Sequence, residues 1–239
     1  MLSVHLRMLR QRTSISVDEQ RAIEALVSEV RNVRADQAVI RAGETLTFSL
    51  LLLDGWTART KDLASGDRQI SELHISGDFV DLHGFMLKHL DHDLRAFTPC
   101  RLAVVPHERL ERMLEKHPRL ARIYWFLTNI DAAIHREWLL SLGQRSALSH
   151  MAHLFCEMCV RFDQIGMVED GAYAFPLTQR EVAECLGLTT VHANRMVQEL
   201  RRRGLIELAN RRVKILDHPR LEALAEFDPR YLYFDRREF

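Results

Sequence analysis

The chain has 239 residues, and its 33 basic side chains are balanced by 33 acidic ones. That length suffices for two modest domains with a core each, and an apolar share of 47% without low-complexity tracts excludes a disordered or fibrous chain. Zero net charge, taken alone, argues against a nucleic-acid partner, and no stretch is long and apolar enough to span a bilayer.

Residues 1–12 are basic but lack an apolar stretch and a small-residue cleavage site, so no secretory leader is expected. The expected location is cytoplasmic, with Cys100, Cys156, Cys159 and Cys185 as free thiols. Residues 17–30 place Ile23, Leu26, Val27 and Val30 at helical spacing, which predicts an amphipathic helix. From Asn32 the pattern changes. Gly43-Glu44, Asp54-Gly55, Gly66-Asp67, Gly77-Asp78 and Gly84 punctuate short apolar runs at 38–40, 47–53, 56–61, 68–75 and 101–105. This rhythm predicts an antiparallel sandwich or barrel. His74, His83, His89 and His92 cluster here without ligand spacing, so they read as turn or surface histidines rather than a haem or metal set.

Residues 107–116 form a short predicted helix stopped by Pro118, which opens a long helical run to Leu142. Leu120, Ile123, Leu127, Ile130 and Ile134 alternate in steps of three and four, the seam of a coiled coil. Such a seam can pack on its own domain or on a second copy, and the narrow stripe favours the second copy, which makes these residues the candidate dimer interface. Gly143 is expected to break this helix, and 145–162 to form the next. On that helix His150, His153, Cys156 and Cys159 recur every third position. Each such step drifts by about 60° around the axis, and the first and last lie about 13.5 Å apart along it, so the four cannot close one tetrahedral metal site. No metal or cofactor is assigned. The Cys156/Cys159 pair reads as packing, because no strand precedes it as a redox motif requires.

After a predicted loop at 166–174, residues 177–200 have the pattern of two helices crossing at a tight turn. Val182, Leu186, Leu188, Met196 and Val197 supply the wedge, Ala183 the close approach and Gly187 the turn, while Thr178 and Thr189 stand at the N-caps. The second helix offers Thr190, His192, Asn194 and Arg195 for base edges, with Arg201, Arg202 and Arg203 following. Gln179, with Thr178 and Thr189, is placed to hold phosphates near helix N-termini. Residues 204–216 read as a hairpin turning at Asn210-Arg211, a wing with Arg211 at its tip. Across 177–216 eight basic residues face four acidic ones, a local charge of +4 on a neutral chain. Cys185, in the first of the two helices, is a redox candidate, with ordinary packing as the alternative. No nucleophile–base pair, phosphate loop or carboxylate pair suggests an enzyme.

Taken in this order, the elements resemble the superfamily of the cyclic-AMP receptor protein and the fumarate-nitrate reduction regulator, over nearly the whole chain. The resemblance rests on Gly43-Glu44, Gly77-Asp78-Phe79, Leu177-Thr-Gln, Gly187-Leu-Thr and Asn194-Arg195. It implies an α+β fold: a β-roll sensor like a cyclic-nucleotide-binding jelly roll (1–117), a dimerisation helix (118–142) and a winged helix-turn-helix (143–239). It also implies double-stranded DNA, a second copy and RNA polymerase as partners. Its effector pocket would fall at Glu72, Asp81, Leu82 and Arg95. The sensor motifs depart from both founding types. Where cyclic-nucleotide binders carry Gly-Glu and then Arg-Ser/Thr, this chain has Asp81-Leu82-His83 and Leu90-Asp91. No arginine stands at the phosphate clamp and Asp91 would repel the anion, so cyclic AMP is not expected. No cysteine precedes Cys100, so the iron–sulfur sensor is not expected either, and the effector stays unidentified. Val191 stands where familiar relatives place a base-reading glutamate, which implies a different operator. The alternative function is a cytoplasmic ligand or redox sensor that works through protein partners without touching DNA.

Overall fold

Alternation of buried and exposed side chains fails in the strand Phe48–Asp54, where Ser49, Leu50, Leu51 and Leu52 are all buried. A strand covered on both faces lies inside a layered structure. The computed structural model describes residues 1–239. One compact unit comprises 1–61, 72–132 and 233–239, and the other 62–71 and 133–232.

The first unit opens with α1 (Ser3–Arg12) and α2 (Val17–Glu24). The strands are β1 (Glu29–Val33), β2 (Ala38–Ile40), β3 (Phe48–Asp54), β4 (Thr57–Asp62), β5 (Arg68–His74), β6 (Asp93–Ala96) and β7 (Cys100–Pro106). A short α3 (Gly84–Leu87) precedes β6, and α4 (His107–Lys116) follows β7. Two sheets, β1-β7-β3 and β2-β6-β4-β5, form the roll. Ile40, Leu50, Leu52, Leu94, Ala96, Leu102 and Val104 make its apolar core.

The helix expected over 17–30 is shorter than its apolar spacing suggests. A capping box between Ser16 and Glu19 starts α2, which stops at Glu24. Val30 instead pairs with Ala103 in β1, where the β-branched Val30 and Val33 favour extended backbone. The helix α1 was not expected. Leu2, Leu6 and Leu9 bury one of its faces, and His5 is buried with them. The His5 Nδ1–H donates to the Gly77 carbonyl (2.8 Å), and Nε2 accepts from the Tyr124 hydroxyl (3.2 Å).

Burial pushes His5 down to about 4 from an ordinary 6.5, so the folded state keeps it neutral. Between those two values the unfolded chain binds the proton and the folded chain does not. His5 therefore contributes stability that is lost as pH falls through this window, in all on the order of 3 kcal/mol. Urea unfolding of His5→Gln, which keeps a donor for Gly77, is expected to show a shallower loss of stability on acidification than the native chain. Identical pH profiles for the two proteins would remove His5 from the account.

The long helix α5 (Pro118–Gln144) runs through Gly143 without a break. A helical glycine costs only about 1 kcal/mol relative to alanine, which the rest of a 27-residue helix tolerates. The predicted seam requires correction. Leu120, Ile123, Ile130 and Ile134 are buried in the chain itself and Leu127 is half-buried, because the most apolar stripe of α5 covers its own core. Arg122, Trp125, Asn129, Ala132, Arg136, Leu139 and Gly143 form a second stripe in the same three–four rhythm, and all are exposed. Trp125 is 71% exposed and Leu139 70%.

The second unit contains α6 (Ala147–Gln164), β8 (Ala172–Ala174), α7 (Gln179–Leu186), α8 (Thr190–Arg202), β9 (Ile206–Ala209), β10 (Arg212–Ile215) and α9 (His218–Ala225), then a 3-10 turn at Pro229–Leu232. The predicted loop at 166–174 contains β8, which pairs with β10 and completes a sheet of order β8-β10-β9. Cys156 and Cys159 are buried on α6, and burial pushes both thiols up, Cys159 to about 11. No helix is long and apolar enough to cross a membrane.

Candidate nucleic-acid interface

Local chemistry fixes the two crossing helices. The Thr178 hydroxyl accepts from the Glu181 N–H (3.2 Å), and the Glu181 carboxylate accepts from the Thr178 N–H (2.6 Å). That reciprocal cap satisfies two donors that would otherwise stand free at the start of α7. Gly187 ends α7 with φ +63°, a conformation that L side chains rarely adopt. Thr189 then caps α8 by accepting from the His192 N–H (3.2 Å). Val182, Ala183 and Leu186 from α7 and Ala193 and Leu200 from α8 are buried, with Leu188, Met196 and Val197 half-buried beside them.

At 100° per residue, the face of α8 opposite Ala193 and Leu200 carries Val191, Arg195, Gln198 and Arg202. Thr190, Asn194 and Arg201 flank it on one side and His192 on the other. Val191 is 71% exposed, an apolar side chain offered directly to solvent. The arginines divide into two groups. Arg202 and Arg203 both bind the Glu199 carboxylate at 2.7–2.8 Å, and those bonds hold Glu199 down to about 2. The side chains of Arg195, Arg201 and Arg211 make no hydrogen bond or ion pair within the chain.

Arg211 reaches its place through the wing turn. Asn210 (φ 52°) and Arg211 (φ 56°) link the paired Ala209 and Arg212, the two-residue turn that matches strand twist. Between wing and α8 lies a cleft of about 290 Å³. Gln179, Asn194, Arg201 and Arg211 all line it, so four of the residues expected to contact DNA converge. Gln198 lines it too and was not anticipated; its signal was the 191–195–198 step along the helix. The acidic side chains of α7 are occupied, Glu181 in the cap and Glu184 with Arg180 (2.8 Å). Unpaired guanidinium groups beside neutralised carboxylates make a surface suited to phosphate.

Cys185 is 1% exposed, and burial, with Glu181, Glu184 and Glu157 nearby, pushes its thiol well above the ordinary value. A buried neutral thiol is inert, which replaces the redox reading with packing. The candidate effector residues separate. Glu72 and Asp81 are buried inside the roll and Leu82 is half-buried. Arg95 turns away and donates to the Asp36 carbonyl (3.1 Å). The interior centres instead on Arg59, a residue the sequence reading passed over. Its side chain is 3% exposed and binds Glu72 (2.6 Å), Asp131 (2.8 Å) and the Val80 carbonyl (3.0 Å). Burial pushes Asp81 up to about 7; its Oδ1 accepts from the Leu50 N–H (2.7 Å). His74 lies 3.9 Å from Glu72, and His83 lies 3.8 Å from Asp131 with its ring 5.4 Å from that of His92. His89 is exposed, and nowhere do three His, Cys, Asp or Glu side chains converge as a metal site.

A β-roll, a long helix and a winged helix-turn-helix with unpaired cations on its outer face together define a DNA-binding transcription regulator. Residues 149–224 match the Crp-like helix-turn-helix domain, and residues 30–117 match the cyclic nucleotide-binding domain. The transcriptional activator protein FnrL of Cereibacter sphaeroides is 30% identical over 85% of this chain and 83% of its own length. The nitrogen fixation regulation protein FixK of Bradyrhizobium diazoefficiens is 27% identical over 89% of this chain and 88% of its own. In fold, the chain is similar to FixK2 from Bradyrhizobium japonicum (TM-score 0.73, 22% identity, 83% of this chain and 98% of that one). The chain belongs to the Crp/Fnr family of transcriptional regulators.

Proposed function

We propose that this regulator binds a palindromic operator as a homodimer, one α8 per half-site, without cyclic AMP. The observation that carries the reading is the set of unpaired side chains of Arg195, on the outer face of α8, and of Arg201 and Arg211, which line the cleft between α8 and the wing. Arg195, Thr190, His192 and Asn194 are the base-reading set, with Val191 against a thymine methyl. Gln179, Arg201, Arg211 and the capping Thr178 and Thr189 position the phosphates. The exposed stripe of α5 supplies a surface for the second copy. Two-fold symmetry then sets half-sites about one helical turn, ~34 Å, apart. Against cyclic AMP stands the interior of the roll, where Arg59 is already bound by the chain's own carboxylates.

Arg195→Ala is expected to cost about 1–3 kcal/mol on the specific site and to relax one base position. Its exposed side chain makes no internal bond, so the fold should not change. Operator selection from a random duplex pool, followed by footprinting on substituted sites, measures both effects. Unchanged affinity and unchanged base preference would remove Arg195 from the recognition set. Absence of any mobility shift at low salt would overturn the DNA reading itself.

A further inference from the structure

A guanidinium as buried as that of Arg59 must have an anion, since an uncompensated buried charge is strongly destabilising. The chain supplies it from two elements of the first unit. Glu72, one of the residues expected at the sensor pocket, comes from β5, and Asp131 from α5. Arg59 itself stands on β4 and is steered by the Val80 carbonyl, so its direction is fixed. Glu72 and Asp131 both bind the same Nη1, at 2.6 and 2.8 Å. Burial works against ionising Asp131, yet the Arg59 charge, a hydrogen bond with Glu72 and nearby His74 hold it well below the usual carboxylate range. Asp131 is thus held in its ionised form beside Arg59. It is also the less enclosed one, with 23% of its side chain exposed against 2% for Glu72. It reaches the roll from α5, two positions from Asn129 and next to Ala132 on the exposed stripe.

We propose that the roll is self-liganded: the Asp131 carboxylate fills the anion place on Arg59 that a charged effector would take, and so holds α5 in its DNA-competent setting. This rests on the DNA-binding reading above only for its consequence, not for the anion site. The acid group is covalently part of the sensor, so no small molecule is needed to set it. Removing it turns the roll into a site for a small carboxylate.

The test uses the full chain and acetate as the probe, compared with chloride at equal ionic strength. Asp131→Ala is expected to lower the thermal midpoint, and acetate to recover about half of that loss or more by binding only the folded state. The native chain should show the same midpoint in both salts. In a mobility-shift assay the variant should bind its selected operator about tenfold more weakly in chloride and recover in acetate. Equal midpoints for variant and native chain, or a loss that acetate and chloride leave equal, would overturn the proposal. If Asp131→Ala does not fold, Asp131→Asn carries the test. It keeps the shape and fills the site, so it should show weakened operator binding that acetate does not restore. Native affinity in that variant would also overturn the proposal. A native chain that never shifts DNA would count against the regulator reading, while the thermal comparison still decides the anion site.

Discussion

Replacing Glu157 with leucine is expected to lower the unfolding free energy of the second unit by about 3–5 kcal/mol. Glu157 is fully buried on α6, and one carboxylate serves three donors. Oε2 accepts from the Trp138 indole N–H on α5 (3.0 Å) and from the Tyr231 hydroxyl in the 3-10 turn (2.7 Å). Oε1 accepts from Arg161 one turn along α6 (3.2 Å). Leucine fills similar space but leaves two buried donors without an acceptor and removes the carboxylate from beside the Arg161 charge. A domain of this size has only about 5–15 kcal/mol in hand, so the change removes a large fraction of it. Glu157→Gln keeps an acceptor for Trp138 and Tyr231 and should cost much less. Urea unfolding of the three proteins, followed by circular dichroism, checks the order. A leucine variant as stable as the native chain would mean that the hydrogen-bonded cluster adds nothing over apolar packing, as some buried ionic clusters do.

The helix-turn-helix was legible because its determinants are local. Thr178 and Thr189 announce helix starts, Gly187 announces the turn, and Ala183 marks a close approach; each works within a few residues of itself. The wing turn at Asn210-Arg211 was readable for the same reason. What stayed hidden depends on partners far along the chain. Arg59 and Glu72 lie on strands and Asp131 on a helix, and only the fold joins them. Likewise α1 looked like a basic terminus, because Leu2, Leu6 and Leu9 show their purpose only against the roll. The seam read as a dimer interface is buried in the protomer for a physical reason. A 27-residue helix can carry two three–four seams in different phases. The protomer's own core claims the more apolar one, at Leu120, Ile123, Ile130 and Ile134, and leaves a mixed stripe outside.

That assignment leads to a result with a larger expected effect on DNA binding. Leu139→Glu places a charge on the exposed stripe, at a site 70% exposed in the single chain. The protomer has no reason to lose stability there, since surface changes of this kind usually stay within about 0.5 kcal/mol. Two such charges facing each other across a two-fold axis would repel, because an isologous interface brings the same patch of both copies together. Light scattering should show a monomer where the native chain gives a dimer. Operator affinity should then fall by about 10²–10⁴-fold, the avidity gained when two joined modules engage two half-sites. Leu127→Glu, by contrast, strikes a half-buried position on the predicted seam and should reduce folding stability instead. If Leu139→Glu remained dimeric with full affinity, the second copy would have to meet the chain at a surface other than Trp125, Asn129, Ala132, Arg136 and Leu139.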